Sequence, residues 1–396
     1  MTSLADQDWL TDAKTAAVMA ALEAEKPGSA RFVGGCVRNA IMGVPVDDID
    51  IATQLAPETV VSALEKAGIK AVPTGIEHGT ITAVIDKTPF EITTLRRDVE
   101  TDGRRAVVAF TEDWAEDAAR RDFRLNAIYA DAGGNLYDPT GGGIEDARSQ
   151  RVIFIGDPDT RLKEDYLRIL RFFRFYAWYG TAIDAEGLAA CARQKDGLKQ
   201  IAVERIWKEL HKLLSAREPV EAVNAMAETG VLALLLPEAE ATDGLHDLRV
   251  TETLCGVAPD PMLRLMALIH RSANSVMAVS KRLRLSNAES DRLTRWAADN
   301  LSGVTGLNGR ELRLALYWHG KQAVVDRAML SGRNVRDLLY AVLAWKRPEF
   351  PVGGEDALAA GLEGPEIGKA LRALEEWWME QDFQPDREEL LARLTA

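Results

Sequence analysis

The feature that most restricts how this chain can fold is a change of hydrophobic period near residue 155. From residue 30 to about 155, short β-branched runs such as ITAVID (81–86) and FEITTL (90–95) are separated by turn residues, the pattern of strands in an α/β unit. A hairpin is predicted across Lys87, Thr88 and Pro89. Asp157 and Pro158 then read as an N-cap followed by a first-turn proline. After them strand signals nearly vanish. LKEDYLRILRFFRFYAWY (162–179), AVERIWKELHKLL (202–214) and PMLRLMALI (261–269) instead repeat apolar residues at helical spacing. With 396 residues, 47% of them hydrophobic, the chain is too long for one core and is expected to form two or three packed units, an α/β head before an all-helical remainder.

Composition excludes some classes. The three cysteines, Cys36, Cys191 and Cys255, are too scattered for a zinc site or a disulfide framework. The N-terminus MTSLADQDWL lacks a basic segment followed by an apolar core, and no apolar run approaches the roughly 18 residues of a membrane helix. Neither export nor a membrane span is expected, and a reducing cytoplasm fits best. A net charge of −13 argues against a protein that coats nucleic acid indiscriminately. Residues 275–350 run the other way, with 13 Lys and Arg against 7 Asp and Glu.

The chemistry concentrates in RFVGGCVRNAIMGVPVDDIDIAT (31–53), read as strand, short helix, strand. If Asp48-Ile49-Asp50-Ile51 is extended, both aspartates project to one face and both isoleucines enter the core. Two carboxylates held together repel, and a divalent cation such as Mg2+ relieves the repulsion. An isolated D-x-D is usually a solvated strand end. Here Gly34 and Gly35 let backbone N–H groups approach a triphosphate, Arg38 adds charge at the head of the next helix, and Glu91 lies on another strand beside Ile92, suited to complete a metal cluster.

Farther on, Asp102-Gly103-Arg104-Arg105 reads as a mobile loop, and Arg120, Arg121, Asp122 and Asn126 recur near helical spacing as a face for ribose and phosphates. Asp165 and Arg168, three residues apart, share a helix face that Arg171 continues. Most such pairs are surface ion pairs. A fixed carboxylate can also accept from an exocyclic amine while the guanidinium beside it donates to the neighbouring ring nitrogen or carbonyl, a pattern that cytosine and adenine satisfy and guanine and uracil do not.

Taken together, GGCVRN (34–39), DDIDIAT (47–53), EHGT (77–80), FEITTLR (90–96), RRDFRLNAIY (120–129), DPTGG (138–142), EDYLRILRFFRF (164–175) and ERIWKEL (204–210) resemble the bacterial-type (class II) CCA tRNA nucleotidyltransferase and poly(A) polymerase family. The resemblance implies a nucleotidyltransferase head with a polymerase-beta-like mixed sheet over 1–155, a helical neck that recognises the base over 156–217, and a helical body and tail binding tRNA over 218–396. It places the catalytic and metal-holding carboxylates at Asp48, Asp50 and Glu91, with two Mg2+ ions activating the RNA 3′ hydroxyl and steadying pyrophosphate. Base selection falls to Asp165 and Arg168, ribose and triphosphate contacts to Arg121, Asp122 and Asn126, and a switch to adenosine to the 102–105 loop.

The implied activity is template-independent addition of CCA to tRNA from CTP and ATP, with no protein partner required; a poly(A) polymerase and a partial CC- or A-adding enzyme are the alternatives. Two departures stand out. Asn39 occupies a position where the family motif usually ends in Asp, although Asp48 and Asp50 remain. A second, phosphohydrolase activity is not expected, because His246-Asp247 has no evident partner and LIHR (268–271) has Arg271 where an Asp is needed.

Overall fold

A computed structural model describes residues 3–102, 105–239 and 241–395. By its contacts the chain divides into two compact units, Met1–Pro237 and Glu238–Ala396. The expected boundaries at 155 and 217 thus both fall inside the first unit.

That unit is built on a seven-stranded mixed sheet. Its strands are β1 (Ala30–Val33), β2 (Asp50–Thr53), β3 (Lys70–Gly75), β4 (Thr80–Ile85), β5 (Thr88–Thr94), β8 (Tyr129–Ala130) and β9 (Leu136–Tyr137), and their spatial order is β3-β4-β5-β2-β1-β8-β9. Only β2 and β5 run parallel among these neighbours, with Asp50 opposite Glu91 and Ile51 opposite Ile92. Ile51 and Ile92 are fully buried, as alternation requires. β4 and β5 form the expected hairpin, but its turn is Asp86–Lys87, both at positive φ (47° and 68°), so the strand begins at Thr88 and includes Pro89. Two left-handed residues in a two-residue loop match the right-handed twist of the flanking strands.

β6 (Arg96–Asp102) and β7 (Arg105–Phe110) pair with each other outside the main sheet. The loop expected at 102–105 spans their tip, and its Gly103 and Arg104 lie outside the described residues.

After residue 155 the regular elements described are helical. Asp157 caps Pro158–Glu164, its carboxylate accepting from the Thr160 N–H at 2.8 Å. The run 162–179 is not one helix, however. It breaks at Asp165 and resumes as Leu167–Tyr179. Asp165 takes an extended backbone (φ −152°, ψ 103°), and its carboxylate accepts from the Leu167 N–H at 3.0 Å, a local bond that competes with helix continuation. The resumed helix buries Phe172 and Phe175 against Phe123 and Phe154 of the head, with Phe154 and Phe172 stacked at 5.4 Å. This apolar joint fixes the helix relative to the sheet.

The second unit, described by itself, is helical. It contains a fully buried ion pair, Arg264 with Glu252 at 2.6 Å, and an aromatic core of Tyr317, Trp378 and Phe383. Several cations of the basic stretch are engaged internally. Arg292 bridges Asp260 and Asp326, Arg282 pairs with Glu238, and Arg313 pairs with Asp382. Their charges are partly neutralised before any ligand arrives. Among the described residues no helix is long and apolar enough to cross a membrane.

Candidate active site

The Gly-Gly turn after β1 starts the helix Gly35–Met42, and Gly34 takes φ 73°, ψ −122°, a conformation that a residue with a Cβ resists. A Cβ there would lie 3.8 Å from both Asp50 Oδ2 and Arg121 Nη1. Gly34 therefore sits where a carboxylate and a guanidinium converge.

Asp50 opens β2, and register brings Glu91 of β5 directly beside it. Burial, then repulsion from Glu91 and Asp48, outweighs the nearby Arg121 and Arg38 and pushes the Asp50 carboxyl up to about 6. Asp48 is not on the strand, contrary to the alternation argument. β2 begins only at Asp50, Asp48 is exposed in the preceding segment, and Ile49 is half-buried rather than in the core. Among the described residues no group of three or more His, Cys, Asp or Glu side chains is placed to hold a metal ion, so Asp48, Asp50 and Glu91 do not form the expected three-carboxylate cluster. Asp50 and Glu91 form the preassembled pair.

Asn39 helps shape this approach. Its amide donates to the Pro45 carbonyl at 2.8 Å while its oxygen accepts from Arg38, at 2.7 and 3.1 Å. An Asp at this position would lack the donor that ties down the segment leading to Asp48.

Beside Gly34 opens a cleft of about 520 Å3, lined by Gly34, Gly35, Arg38, Arg96, Arg120, Arg121, Asp122, Asn126, Asp165, Leu167, Arg168, Arg171, Phe175 and Arg205. Seven of these are arginines and two are acids, a lining whose charge favours anions. Its expected residues do meet, though not on the expected helix. The helix Trp114–Ala119 ends before Arg120, and Asn126 lies in a separate single turn, Arg124–Asn126.

What joins Arg120 and Arg121 is Asp117, which the sequence reading missed. Its carboxylate, 1% exposed, accepts from Arg120 at 2.7 Å, Arg121 at 3.0 Å and the Tyr129 hydroxyl at 2.7 Å. Burial works to raise this carboxyl, but Arg121 and Arg120 prevail and hold it at about 2. Its spacing three and four residues before the two arginines was the available signal.

A second chain of bonds links other residues of the cleft lining. Arg38 is a buried strut rather than an exposed phosphate arm: it donates to Asn126 Oδ1 at 2.6 Å and lies 3.9 Å from the Tyr179 ring centroid. Asn126 donates to Asp122 at 3.1 Å, and Asp122 accepts from Arg171 at 2.7 Å. Burial opposes ionisation of Asp122, yet Arg171 and Asn126 keep its carboxyl below the usual range.

Asp165 and Arg168 line the same cleft without sharing a helix face, because Asp165 lies in the break before the helix. Each is held by a partner that the sequence reading did not assign. Arg205 donates to Asp165 Oδ2 at 2.8 Å. Arg168 pairs with Glu164 and donates to the carbonyls of Arg161 at 2.7 Å and Arg120 at 3.2 Å.

The sequence and fold have known counterparts. A family model described as the Poly A polymerase head domain matches residues 30–153, and one described as the probable RNA and SrmB-binding site of polymerase A matches 180–242. The human mitochondrial CCA tRNA nucleotidyltransferase 1 is 34% identical over 380 residues, covering 91% of this chain and 85% of that protein. The CCA-adding enzyme of Limosilactobacillus fermentum is 31% identical over 373 residues, 91% of each. The crystal structure of the Bacillus stearothermophilus CCA-adding enzyme in complex with CTP superposes with a TM-score of 0.79 at 27% identity, over 96% of this chain and 95% of that one. A mixed-sheet head, a helical remainder and identity running nearly end to end agree: the chain belongs to the CCA tRNA nucleotidyltransferase family.

Proposed function

We propose that this protein adds C, C and A to the 3′ end of tRNA from CTP and ATP, without a template and with release of pyrophosphate. The observation that carries the reading is the arginine-lined cleft, which has Asp165 and Arg168 on its lining and, at Gly34, borders Asp50, the register partner of Glu91. The family's fold implies a divalent metal, and the mutual repulsion of Asp50 and Glu91 suits a hard cation. We assign it as Mg2+, held by Asp50 and Glu91 with Asp48 nearby. When bound, it supplies the positive charge that favours ionisation of the RNA 3′ hydroxyl and departure of pyrophosphate. The compartment we assign is the cytoplasm.

The chain's own groups do the rest. Arg120 and Arg121, spaced by Asp117, face the triphosphate, and Gly34 leaves room for its backbone-side approach. Asp165 accepts from the amine of cytosine or adenine while Arg168 donates to the adjacent ring acceptor. Because Arg205, Glu164 and two carbonyls hold this pair in place, it cannot swing to suit a base of the opposite pattern. Guanine or uracil would leave buried groups unpaired, at a cost of about 1–3 kcal/mol each. The cations of the second unit that are not neutralised internally would hold the tRNA backbone, with an affinity that falls as salt rises.

Incubation with Mg2+, a tRNA lacking its 3′ end, and CTP and ATP singly or together tests the reading. Sequenced products ending in CCA support it. A-tracts on varied RNAs would mark a poly(A) polymerase instead, and no extension would refute both. In the same assay Arg168→Ala is expected to bring UTP and GTP incorporation within about tenfold of CTP, as the loss of roughly 1–3 kcal/mol of discrimination implies. Unchanged base choice would remove Arg168 from that role.

A further inference from the structure

The EHGT segment (77–80) takes no part in the chemistry above, yet it meets the hairpin β6–β7 at its base. The segment Ile76–His78 is a single turn closed by Gly79 at φ 78°, and the Thr94 N–H donates to the Gly79 carbonyl at 2.9 Å. The first and last residues of the hairpin, Arg96 and Phe110, are register partners, and both bear on this turn. Arg96 Nη1 donates to the His78 carbonyl at 2.9 Å. The Phe110 ring lies so close over Gly79 that a Cβ there would sit 2.7 Å from Phe110 Cε1 and 3.2 Å from Thr94 Cβ.

Arg96 also belongs to the cleft. Its side chain lines it, its N–H donates to Asp117 at 3.3 Å, and its carbonyl accepts from Arg120 Nε at 3.1 Å. A two-stranded ribbon outside the main sheet has little stability of its own, so contacts at its base set its direction. Phe110 is 47% exposed, and no site chemistry accounts for a half-exposed phenylalanine there.

We propose that the Ile76–Gly79 turn is a clamp that sets the pose of the β6–β7 hairpin and of Arg96 in the nucleotide cleft, with Phe110 and Gly79 as positioning residues. The catalytic part of this inference rests on the nucleotidyltransferase reading; the clamp itself does not. Loss of the ring frees the hairpin to tilt, and a displacement on the ångström scale lowers turnover steeply.

The test compares Phe110→Ala, and Phe110→Tyr as the conservative control, in the full chain. Two readouts are taken: hydrogen exchange of the β6 and β7 amides without nucleotide, and kcat and KM for CTP and ATP on a tRNA lacking its 3′ end. Phe110→Ala is expected to speed exchange in the hairpin about tenfold while the sheet strands stay protected. It should also lower kcat/KM about tenfold or more, with tRNA affinity and melting temperature at wild-type values and Phe110→Tyr behaving as wild type. Unchanged exchange in Phe110→Ala overturns the clamp. Faster exchange with unchanged kcat and KM overturns the positioning role. If wild-type protein adds no nucleotide, the functional reading falls while the exchange measurement still decides the clamp.

Discussion

Asp50→Asn is expected to lower nucleotide addition by roughly three orders of magnitude, the scale of removing a principal charge stabiliser from an active site, and at the same time to stabilise the metal-free fold. The two effects have one cause. Burial and the Glu91 and Asp48 charges raise the Asp50 carboxyl to about 6, above its ordinary value of 3.8. An acid whose folded value is raised favours the protonated folded state, so the protein loses stability as pH rises from about 4 to 6, and the full penalty, roughly 3 kcal/mol, persists above pH 6. Asparagine carries no such penalty. Thermal melts at pH 7.5 should therefore place metal-free Asp50→Asn above metal-free wild type, and Mg2+ should raise the wild-type melting temperature more than that of the variant. A variant that melts below wild type without metal, or that keeps full activity, would refute the metal assignment. Stability given up at a site for binding or catalysis is a common exchange.

Asp117→Ala should have the opposite signature, a loss of fold and of nucleotide binding together. Removing this carboxylate leaves Arg120, Arg121 and the Tyr129 hydroxyl without their shared acceptor. Breaking a buried pair from one side costs about 3–5 kcal/mol. The isosteric Asp117→Asn keeps the shape and loses the charge, which permits a pH test. The Asp117 carboxyl, at about 2 in the folded protein, lies below its unfolded value. Its contribution of roughly 2 kcal/mol is complete above about pH 4 and is lost as pH falls toward 2. Urea melts of wild type and Asp117→Asn should differ most near neutrality and converge between pH 4 and 2. A difference independent of pH would mean that packing, not charge, explains the residue. The nucleotide KM of Asp117→Asn should also rise, because the spacing of the two arginines is no longer set.

Local pattern reached far in this protein. Alternation placed Ile51 and Ile92 in the core and so put Asp50 and Glu91 on one side of their strands; the parallel register that makes them neighbours comes from the sheet. The Asp157-Pro158 start was readable because a cap and a first-turn proline act within one helical turn. The Asp165–Arg168 helix face was misjudged for a related reason. Apolar spacing runs unbroken through 162–179, but the Asp165 carboxylate captures the Leu167 N–H and halts the helix. Periodicity reports which faces are apolar and is silent about a side chain that competes for the backbone.

From sequence alone came the α/β head, the helical remainder, and the residue types that line the arginine-rich cleft, Asp165 and Arg168 among them, because each depends on periods and motifs only a few residues long. Tertiary structure decided which groups partner which. Arg38 became a buried strut to Asn126 and Tyr179, Asp117 a hub for two arginines, and Arg205 and Glu164 the holders of Asp165 and Arg168. Guanidinium groups look alike in a sequence. Their roles separate only when folding removes them from water, and each must then find a carboxylate, carbonyl or ring within reach.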